Sequence, residues 1–480
     1  MSTILNENLI SFKELEKKIF AYVCELAREI TQIMLESYDK ELAEGRDKKA
    51  YRDKGTRGTS IKTVYGEVSY SRRVYRTENV EGQVEYIYLL DQAMQMDKIG
   101  LISTNLAEKI ALTITESPYR VTSDIINETC GQSISAQGVW NLVQRLGERI
   151  DEEEMHAVHQ MNADQAKGSK TIPVLFEEMD GVWLHMQDEH HKRMKKQEMK
   201  VFTMYEGWDA EKEKENRSTL VGKIMLAGME DSNTFHEKRE ACIRQKYDVD
   251  EIGQRILNGD GGSWIKEPYD SDAIFQLDRY HIYQEILRKI KNKKAQKEIR
   301  SLLEEEKIEE MLEYIQTYAT SVESPDEENK ESKCARELLK YLENNKNGLL
   351  PYDKQGVKIP EPSEGLIYKH MGVQESQNCT VITMRMKHRR MRWSKAGANN
   401  LAKVLYRKEN KELVNTIERY TDGLIFTLQM REVIEILSAA KAPKKDGKGN
   451  PYADRIRMHM PLLDAMQSAS TKAFMRAFNS

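Results

Sequence analysis

The stretch Ile172-Pro173-Val174-Leu175-Phe176-Glu177-Glu178-Met179-Asp180-Gly181-Val182-Trp183-Leu184-His185-Met186 decides the class of this chain. Its apolar run Val174-Leu175-Phe176 reads as a buried strand, and strands are expected over Ile172 to Met179 and Val182 to Met186. Asp180 then sits at the mouth of a buried strand, where a carboxylate can hold a metal ion in a partly dry site. The competing reading is a plain turn, because Asp-Gly between alternating apolar strands is the leading hairpin signal. Further strands are expected over Met199 to Tyr205 and Leu220 to Leu226, then a helix over Phe235 to Tyr247 and short strands over Arg255 to Asn258 and Ile274 to Leu277. That alternation makes the segment mixed α/β and the expected catalytic core.

Toward the N-terminus, apolar residues at Phe12, Leu15, Ile19, Tyr22, Leu26, Ile30, Ile33 and Leu42 have the spacing of a long amphipathic helix, for packing or for a dimerising coiled coil. Ile61 to Tyr75 reads as two strands folded about Tyr65-Gly66-Glu67, a ribbon carrying Lys62, Arg72, Arg73 and Arg76, with a third strand over Val84 to Leu90. Tyr119 to Ile150 has the layout of a helix-turn-helix or of any αα-hairpin. A helix over Val121 to Thr129 breaks at Cys130-Gly131, where Gly131 relieves the turn, and Ser133-Ile134-Ser135 caps a helix over Ala136 to Leu146. Toward the C-terminus, Gln284 to Asn347 is highly charged helix, read as an insertion.

Composition bounds the function. The chain has 480 residues, 32% charged and 39% hydrophobic, with a net charge of -4 that excludes a uniformly basic nucleic-acid coat but not local basic surfaces. No apolar run reaches the roughly 18 residues that span a bilayer, and Met1 to Leu9 lacks the features of a signal peptide, so a cytoplasmic protein without a membrane partner is expected. The five cysteines are scattered, which supports neither a disulfide framework nor a thiolate zinc site, and they read as reduced and mostly buried. No Walker-type phosphate loop is present.

Three more places carry chemistry. Asp260 follows Ile256-Leu257 in Asn258-Gly259-Asp260-Gly261-Gly262, where flanking glycines let a phosphate approach a carboxylate, or simply form a loop. Asp278-x-x-His281 can set a carboxylate beside an imidazole and fix its tautomer, or hold a structural histidine. The run Arg385 to Ser394 joins Arg389, Arg390 and Arg392 to the indole of Trp393, suited to phosphate contacts plus stacking on an exposed base. Glu375, in Gln374-Glu375-Ser376-Gln377-Asn378, is by itself an ordinary solvated glutamate.

Across most of its length the chain resembles the ISLre-two family of bacterial insertion-sequence transposases, distantly related to Mutator-type DDE recombinases. The resemblance is carried by Thr63 to Val68 with Arg72 to Tyr75, Ser117 to Arg120, Ile134-Ser135, Met179-Asp180-Gly181, Gly259-Asp260-Gly261 with Trp264-Ile265, Asp278-x-x-His281, and Arg390 to Ser394. It implies an α+β multidomain chain whose RNase H-like mixed-sheet core is interrupted by a helical insertion. The expected segments are an N-terminal amphipathic helix (1–48), a basic β-ribbon (49–98), a helix-turn-helix region (99–160), the core in two parts (171–282 and 363–410) around the insertion (283–362), and a C-terminal helical region (411–480). By resemblance Asp180, Asp260 and Glu375 are a metal-binding triad with His281 as a further catalytic residue. Glu375 is selected over Glu361 and Glu364 only by the Ser and Asn that follow it.

The implied activity is a DNA transposase in which two Mg²⁺ ions, replaceable by Mn²⁺, assist cleavage at the element's ends and strand transfer into target DNA. Double-stranded DNA and a second copy of the chain are the implied partners, and Arg72, Arg73, Arg389, Arg390, Arg392 and Trp393 the expected DNA contacts. A non-catalytic DNA-binding regulator and a metal-dependent nuclease of the same fold are the alternatives.

Overall fold

A computed structural model describes residues 11–79, 81–94, 100–266, 273–323, 330–388 and 391–421. Helix α1 (Phe12–Gly45) starts at a capping box: Ser11 Oγ accepts the Glu14 amide and the Glu14 carboxylate accepts the Ser11 amide. Its later turns lie on a ribbon of β1 (Arg52–Thr63), β2 (Gly66–Glu78) and β3 (Val84–Ile87), closing a small core of Leu35, Ile61, Val68, Tyr70 and Leu90. The third strand ends three residues earlier than expected, because Leu89-Leu90 turns into α2 (Leu89–Ala93) and buries Leu90.

Helices α3 (Thr104–Glu116), α4 (Tyr119–Thr129) and α5 (Ala136–Asn162) follow. The α4–α5 connection forms where expected. Ser135 caps α5 by accepting the Gly138 amide, and the Asn127 amide group pairs with both the N–H and the C=O of Ile134 across the turn. Gly131 has a role other than relieving the turn. Its N–H donates to the Val64 carbonyl, and a Cβ there would stand 2.8 Å from Cys24 Sγ and 2.9 Å from the Tyr65 backbone, so only glycine lets the turn close on the ribbon.

The main sheet has the order β10-β9-β4-β5-β8, from β4 (Lys170–Leu184), β5 (Gln197–Tyr205), β8 (Ile224–Gly228), β9 (Tyr247–Gly259) and β10 (Ile274–Leu277). β5 is antiparallel to β4 and β8, whereas β9 is parallel to β4 and β10. Two expected strands merge, since Asp180 pairs with Val201 and Gly181 with Lys200 inside one continuous β4, which removes the turn reading. One expected strand splits at Gly222-Lys223: β7 (Leu220–Val221) joins a small sheet with β6 (Gly207–Asp209) and β11 (Leu366–Ile367), while β8 joins the main sheet. The short α6 (Ala210–Lys214) lies between β6 and β7.

Both faces of β4 are covered, which is why it reads as apolar. Leu175 and Met179 join a large core with α5, α7 (Ser232–Lys246) and α15 (Lys395–Glu409), whereas Val174 and Phe176 join Tyr205, Trp208, Tyr352 and Met371. Phe176 stacks on Tyr205 at 5.3 Å between centroids. After α8 (Ser263–Lys266) and β10, helices α9 (Arg279–Lys289), α10 (Lys293–Glu304), α11 (Ile308–Ser321) and α12 (Lys330–Asn344) bury their own apolar stripe, including Ile286, Ile299, Met311, Ile315 and Leu338. This helical bundle begins at Arg279, so His281 lies in its first turn.

The chain returns through α13 (Gln374–Gln377), a π-helical turn (Asn378–Thr383) and α14 (Met384–Met386), then α15 and α16 (Leu413–Thr421). The architecture is mixed α+β with a mixed five-stranded sheet, and no helix among the described residues is long and apolar enough to cross a membrane. All five cysteines are free thiols, but only Cys24 is buried, against the expectation of mostly buried positions.

Helix α5 meets α15 at Gly147, where an added Cβ would overlap the Asn400 backbone. Ala is ordinarily the better helix former by about 1 kcal/mol. Gly147→Ala should nevertheless destabilise the protein by roughly 1–3 kcal/mol, because neither backbone can yield. Thermal unfolding checks this, and an unchanged or raised midpoint would contradict the helix crossing.

Candidate metal centre

Strand β4 outruns its parallel neighbour. β9 ends at Gly259, paired with Met179, so Asp180 projects just beyond the last shared rung and Asp260 begins the loop beside it. His281 comes from the first turn of α9. These three residues, from segments about 80 and 20 residues apart, place donor atoms within 4.8 Å of one another. That is close to the roughly 3–4 Å between neighbouring ligands of one hard cation.

Each member is oriented by neighbours. Asp180 Oδ2 accepts 2.6 Å from Asn378 Nδ2 and stands 3.5 Å from His281 Nε2, while Oδ1 accepts 2.7 Å from the Gly181 amide. Asp260 Oδ1 accepts 2.8 Å from the Gly262 amide, and the Asp260 carbonyl accepts 2.8 Å from the Tyr341 hydroxyl on α12. Asp278 departs from its expected role. Rather than holding the imidazole, its Oδ1 caps α9 by accepting the Tyr280 and His281 amides, and the imidazole itself faces Asp180.

Glu375 lies in the first turn of α13, exposed, outside the three-donor cluster but inside its field. Burial and then the Asp180 charge push its carboxyl above the usual range, while His281 pulls the other way. Glu361 and Glu364 are exposed in the loop that precedes it.

The residue that composition hid is Glu178, fully buried on β4 two positions before Asp180 and on the same face. Its carboxylate accepts the consecutive amides of Gly372, Val373 and Gln374 at 3.1–3.2 Å, the Tyr205 hydroxyl at 2.6 Å and Asn258 Nδ2 at 3.2 Å. Three orphan amides at a helix start thereby find an acceptor and fix α13 against β4. Asn258 Nδ2 also donates 2.7 Å to Asp278 Oδ2, so the same network reaches the cap of α9. A second hidden carboxylate, Glu198 on β5, lies over Gly181, where an added Cβ would overlap it.

Like charges crowd the site. Burial, and behind it the Asp180 charge, raise Asp260 against the Gly262 amide; burial and the Asp260 charge raise Glu198. Burial disfavours the His281 imidazolium, but its hydrogen bond to Asp180 and three nearby aspartates outweigh this and raise it to about 9. The donor set, carboxylate oxygens with one imidazole, fits a hard divalent ion that keeps some of its water.

The expected DNA contacts scatter. Arg72 is buried, 2.6 Å from Asp91 and over the Tyr88 ring, and Arg73 pairs with Asp39 at 2.8 Å and Asp53 at 3.5 Å, so both already have carboxylate partners. Arg389 and Arg390 lie outside the described residues. Arg392 is exposed. Trp393 corrects the stacking expectation: it is 8% exposed and donates its indole N–H to the Met386 carbonyl, so it is a core residue with no face for a base.

Two outcomes follow from this geometry. Glu178→Gln sets an amide NH₂ against the three helix-start amides, so the amides of Gly372, Val373 and Gln374 should lose hydrogen-exchange protection and stability should fall by roughly 1–3 kcal/mol. Unchanged protection would refute the docking role. His281 is raised above its unfolded value, so without divalent ions its contribution is complete below about pH 6.5 and lost as pH rises through about 9. An NMR titration of His281 should show a midpoint well above the unfolded value, returning toward it in Asp180→Asn; a midpoint near 6.5 in the unaltered protein contradicts the pairing.

The family model of the uncharacterised protein family UPF0236 matches residues 5–419. Among similar proteins is a UPF0236 protein of Caldanaerobacter subterraneus subsp. tengcongensis whose name joins four locus designations. It is 24% identical over 414 residues, covering 84% of this chain and 78% of that protein. A UPF0236 protein in the vanSb 3′ region of Streptococcus gallolyticus is 23% identical over 407 residues, covering 83% of each. With the model spanning the ribbon, the sheet, the insertion and the helices behind them, the chain belongs to the UPF0236 family.

Proposed function

We propose that this chain is a DNA transposase of the ISLre-two kind, cutting at the ends of a mobile element and joining them to target DNA at the site of Asp180, Asp260 and Glu375. One observation carries the reading: two aspartates from separate strand ends converge with His281 within 4.8 Å, beside a helix start that bears Glu375. The mixed sheet supports it, with one aspartate on the central strand and the other just beyond its parallel neighbour, the arrangement expected of an RNase H-like core. The relative whose name joins four loci in one organism is consistent with an element that copies itself.

In this reading Asp180 and Asp260 hold divalent ions, with Glu375 completing the set from α13. The bound ion supplies charge to the pentavalent phosphoryl transition state and favours the deprotonated form of the attacking oxygen. Asn378 on Oδ2 and the Gly181 amide on Oδ1 fix the orientation of the Asp180 carboxylate. Cleavage breaks the P–O3′ bond, so the attacking water loses a proton and the departing 3′-oxygen gains one. In this reading His281 is a proton donor and not a ligand: its Nε2 stands 3.5 Å from Asp180 Oδ2, where it would give that second proton, while the water's proton passes to solvent. In strand transfer the same groups act on the freed 3′-hydroxyl as nucleophile. The helix-turn-helix layout of α4 and α5 and the ribbon are the proposed duplex-binding parts.

Asp180→Asn, Asp260→Asn and Glu375→Gln should each abolish Mg²⁺-dependent cleavage of DNA carrying the element's ends, by on the order of a hundredfold or more, as loss of metal or transition-state charge requires. DNA affinity, measured beside it, should stay nearly intact, and Glu361→Gln and Glu364→Gln should cleave normally. Cleavage surviving in Asp180→Asn defeats the proposal. Cleavage without strand transfer would make the protein a nuclease of the same fold.

A further inference from the structure

Trp183 is 50% exposed although the residues on either side of it, Val182 and Leu184, are buried. One exposed aromatic needs no explanation by itself; what distinguishes this one is the charge gathered at its end of the strand. Main-chain hydrogen bonds lace the end of β4 between two distant segments. The Trp393 amide donates to the His185 carbonyl and the Gln187 amide to the Trp393 carbonyl on one side, while the Met194 amide donates to the Met186 carbonyl on the other. This sets exposed Arg392 and Lys387 from one segment, and exposed Arg193 and Lys196 from the other, around the strand end that carries Trp183 and His185.

We propose that Trp183, framed by Arg193, Lys196, Lys387 and Arg392, is a binding site for an unpaired DNA strand, the indole stacking on one exposed base while the four cations hold the flanking phosphates. The choice of DNA rests on the reading given under Proposed function; the site itself rests on this geometry.

Three features favour that ligand. The four cations have no carboxylate ion-pair partner among the described residues, unlike Arg72 and Arg73, so their charge is available to phosphates. Their field is felt locally: burial, followed by Lys196, Arg193, Arg392 and Lys387, holds the His185 imidazole below its usual range. An indole offers a π-face to any base, but a paired base hides its own face in the stack, so the complement of an exposed Trp183 is a strand out of its duplex.

Position connects the patch to the metal centre. Between Gly259, where β9 ends, and the bridge of Met186 to Trp393, β4 pairs among the described strands with β5 alone. Asp180 and Trp183 both fall on that stretch, three residues or about 10 Å apart at the rise of an extended strand, with their side chains on opposite faces of the sheet. A DNA strand stacked on Trp183 on one face and turning over this open edge would bring a phosphate to the carboxylates on the other.

The test is fluorescence anisotropy with the full chain and chelator, so that nothing is cut, using a labelled DNA strand of roughly 16 nucleotides, the blunt duplex of the same sequence, and the matching RNA strand. The DNA strand should bind, and Trp183→Ala should weaken it roughly tenfold or more while changing the duplex by no more than about twofold. Trp183→Phe, which keeps an aromatic face, should recover most of the loss and guards against a folding defect. Arg193→Ala with Lys196→Ala should weaken both forms and reduce the salt slope by roughly 0.7 per lost contact on the strand. No binding of the single strand, or equal losses on strand and duplex in Trp183→Ala, overturns the proposal, and tighter binding of the RNA strand overturns its choice of DNA. Cleavage that depends on Asp180 without strand binding would sink this inference alone; strand binding without any cleavage would sink the transposase reading and leave the site standing.

Discussion

A fully buried carboxylate without donors costs several kcal/mol, and Glu178 avoids that cost by accepting five hydrogen bonds from three parts of the chain. The bargain is reciprocal, since the amides of Gly372, Val373 and Gln374 have no partner inside the helix they begin. Once those amides are fixed on β4, Asn378 falls one turn later against Asp180, and Glu375 is carried to the same side. Through Asn258 the network extends to Asp278, which caps α9 and so sets where His281 begins. One side chain therefore determines how β4, β9, α9 and α13 meet. Burial raises its carboxyl, and the hydrogen bonds from Tyr205 and the helix-start amides oppose that rise.

Legibility in the sequence followed the range of the interactions. Asp180 and Asp260 stood out as candidates because each follows an apolar run closely and adjoins glycine, but those local signals also fit a hairpin turn and a plain loop, and the family resemblance is what paired them. Ile274 to Leu277 was recoverable to the residue from such local signals. Glu178 was not, because its partners near residue 373 lie almost two hundred positions away and the pair Glu177-Glu178 looks like a solvated interruption. In the fold the two point to opposite faces, and both are buried: Glu177 against Arg255 at 2.6 Å, Glu178 against amides. Trp393 failed in the other direction. Its basic neighbours suggest a surface, yet its own side chain turns inward because the segment pairs with the end of β4. Composition reports the run, whereas burial is decided residue by residue.

The helical insertion illustrates how a separable core can still be wired into a site. Its apolar stripe forms a cluster of its own, which Leu277 and Phe275 of β10 join at the edge of the sheet. Yet its first turn supplies His281, and its last helix sends the Tyr341 hydroxyl to the Asp260 carbonyl. A displacement of α9 relative to α12 would shift His281 against the Asp260 loop, which couples the bundle's packing to the spacing of the centre.

The distribution of charge ties these parts together. Asp180, Asp260, Glu198 and Glu375 crowd one centre, and His281, with Lys200 acting on Glu198 and Lys387 on Glu375, offsets them only in part. Many cations elsewhere are already committed: Arg72 and Arg73 to aspartates in the ribbon region, Arg239 and Arg255 to Glu177 and Glu240 beneath the sheet, Lys238 and Lys403 to Glu154 and Glu230 between helices. The cations of the two segments that flank the end of β4 beyond Trp183 are not so committed. Attraction for a polyanion at the rim and repulsion of it at the centre oppose each other along about 10 Å of β4. Under the proposed reading, a divalent ion held by the carboxylates would reverse the second sign without touching the first, and would let a phosphate backbone drawn in by the rim reach the centre.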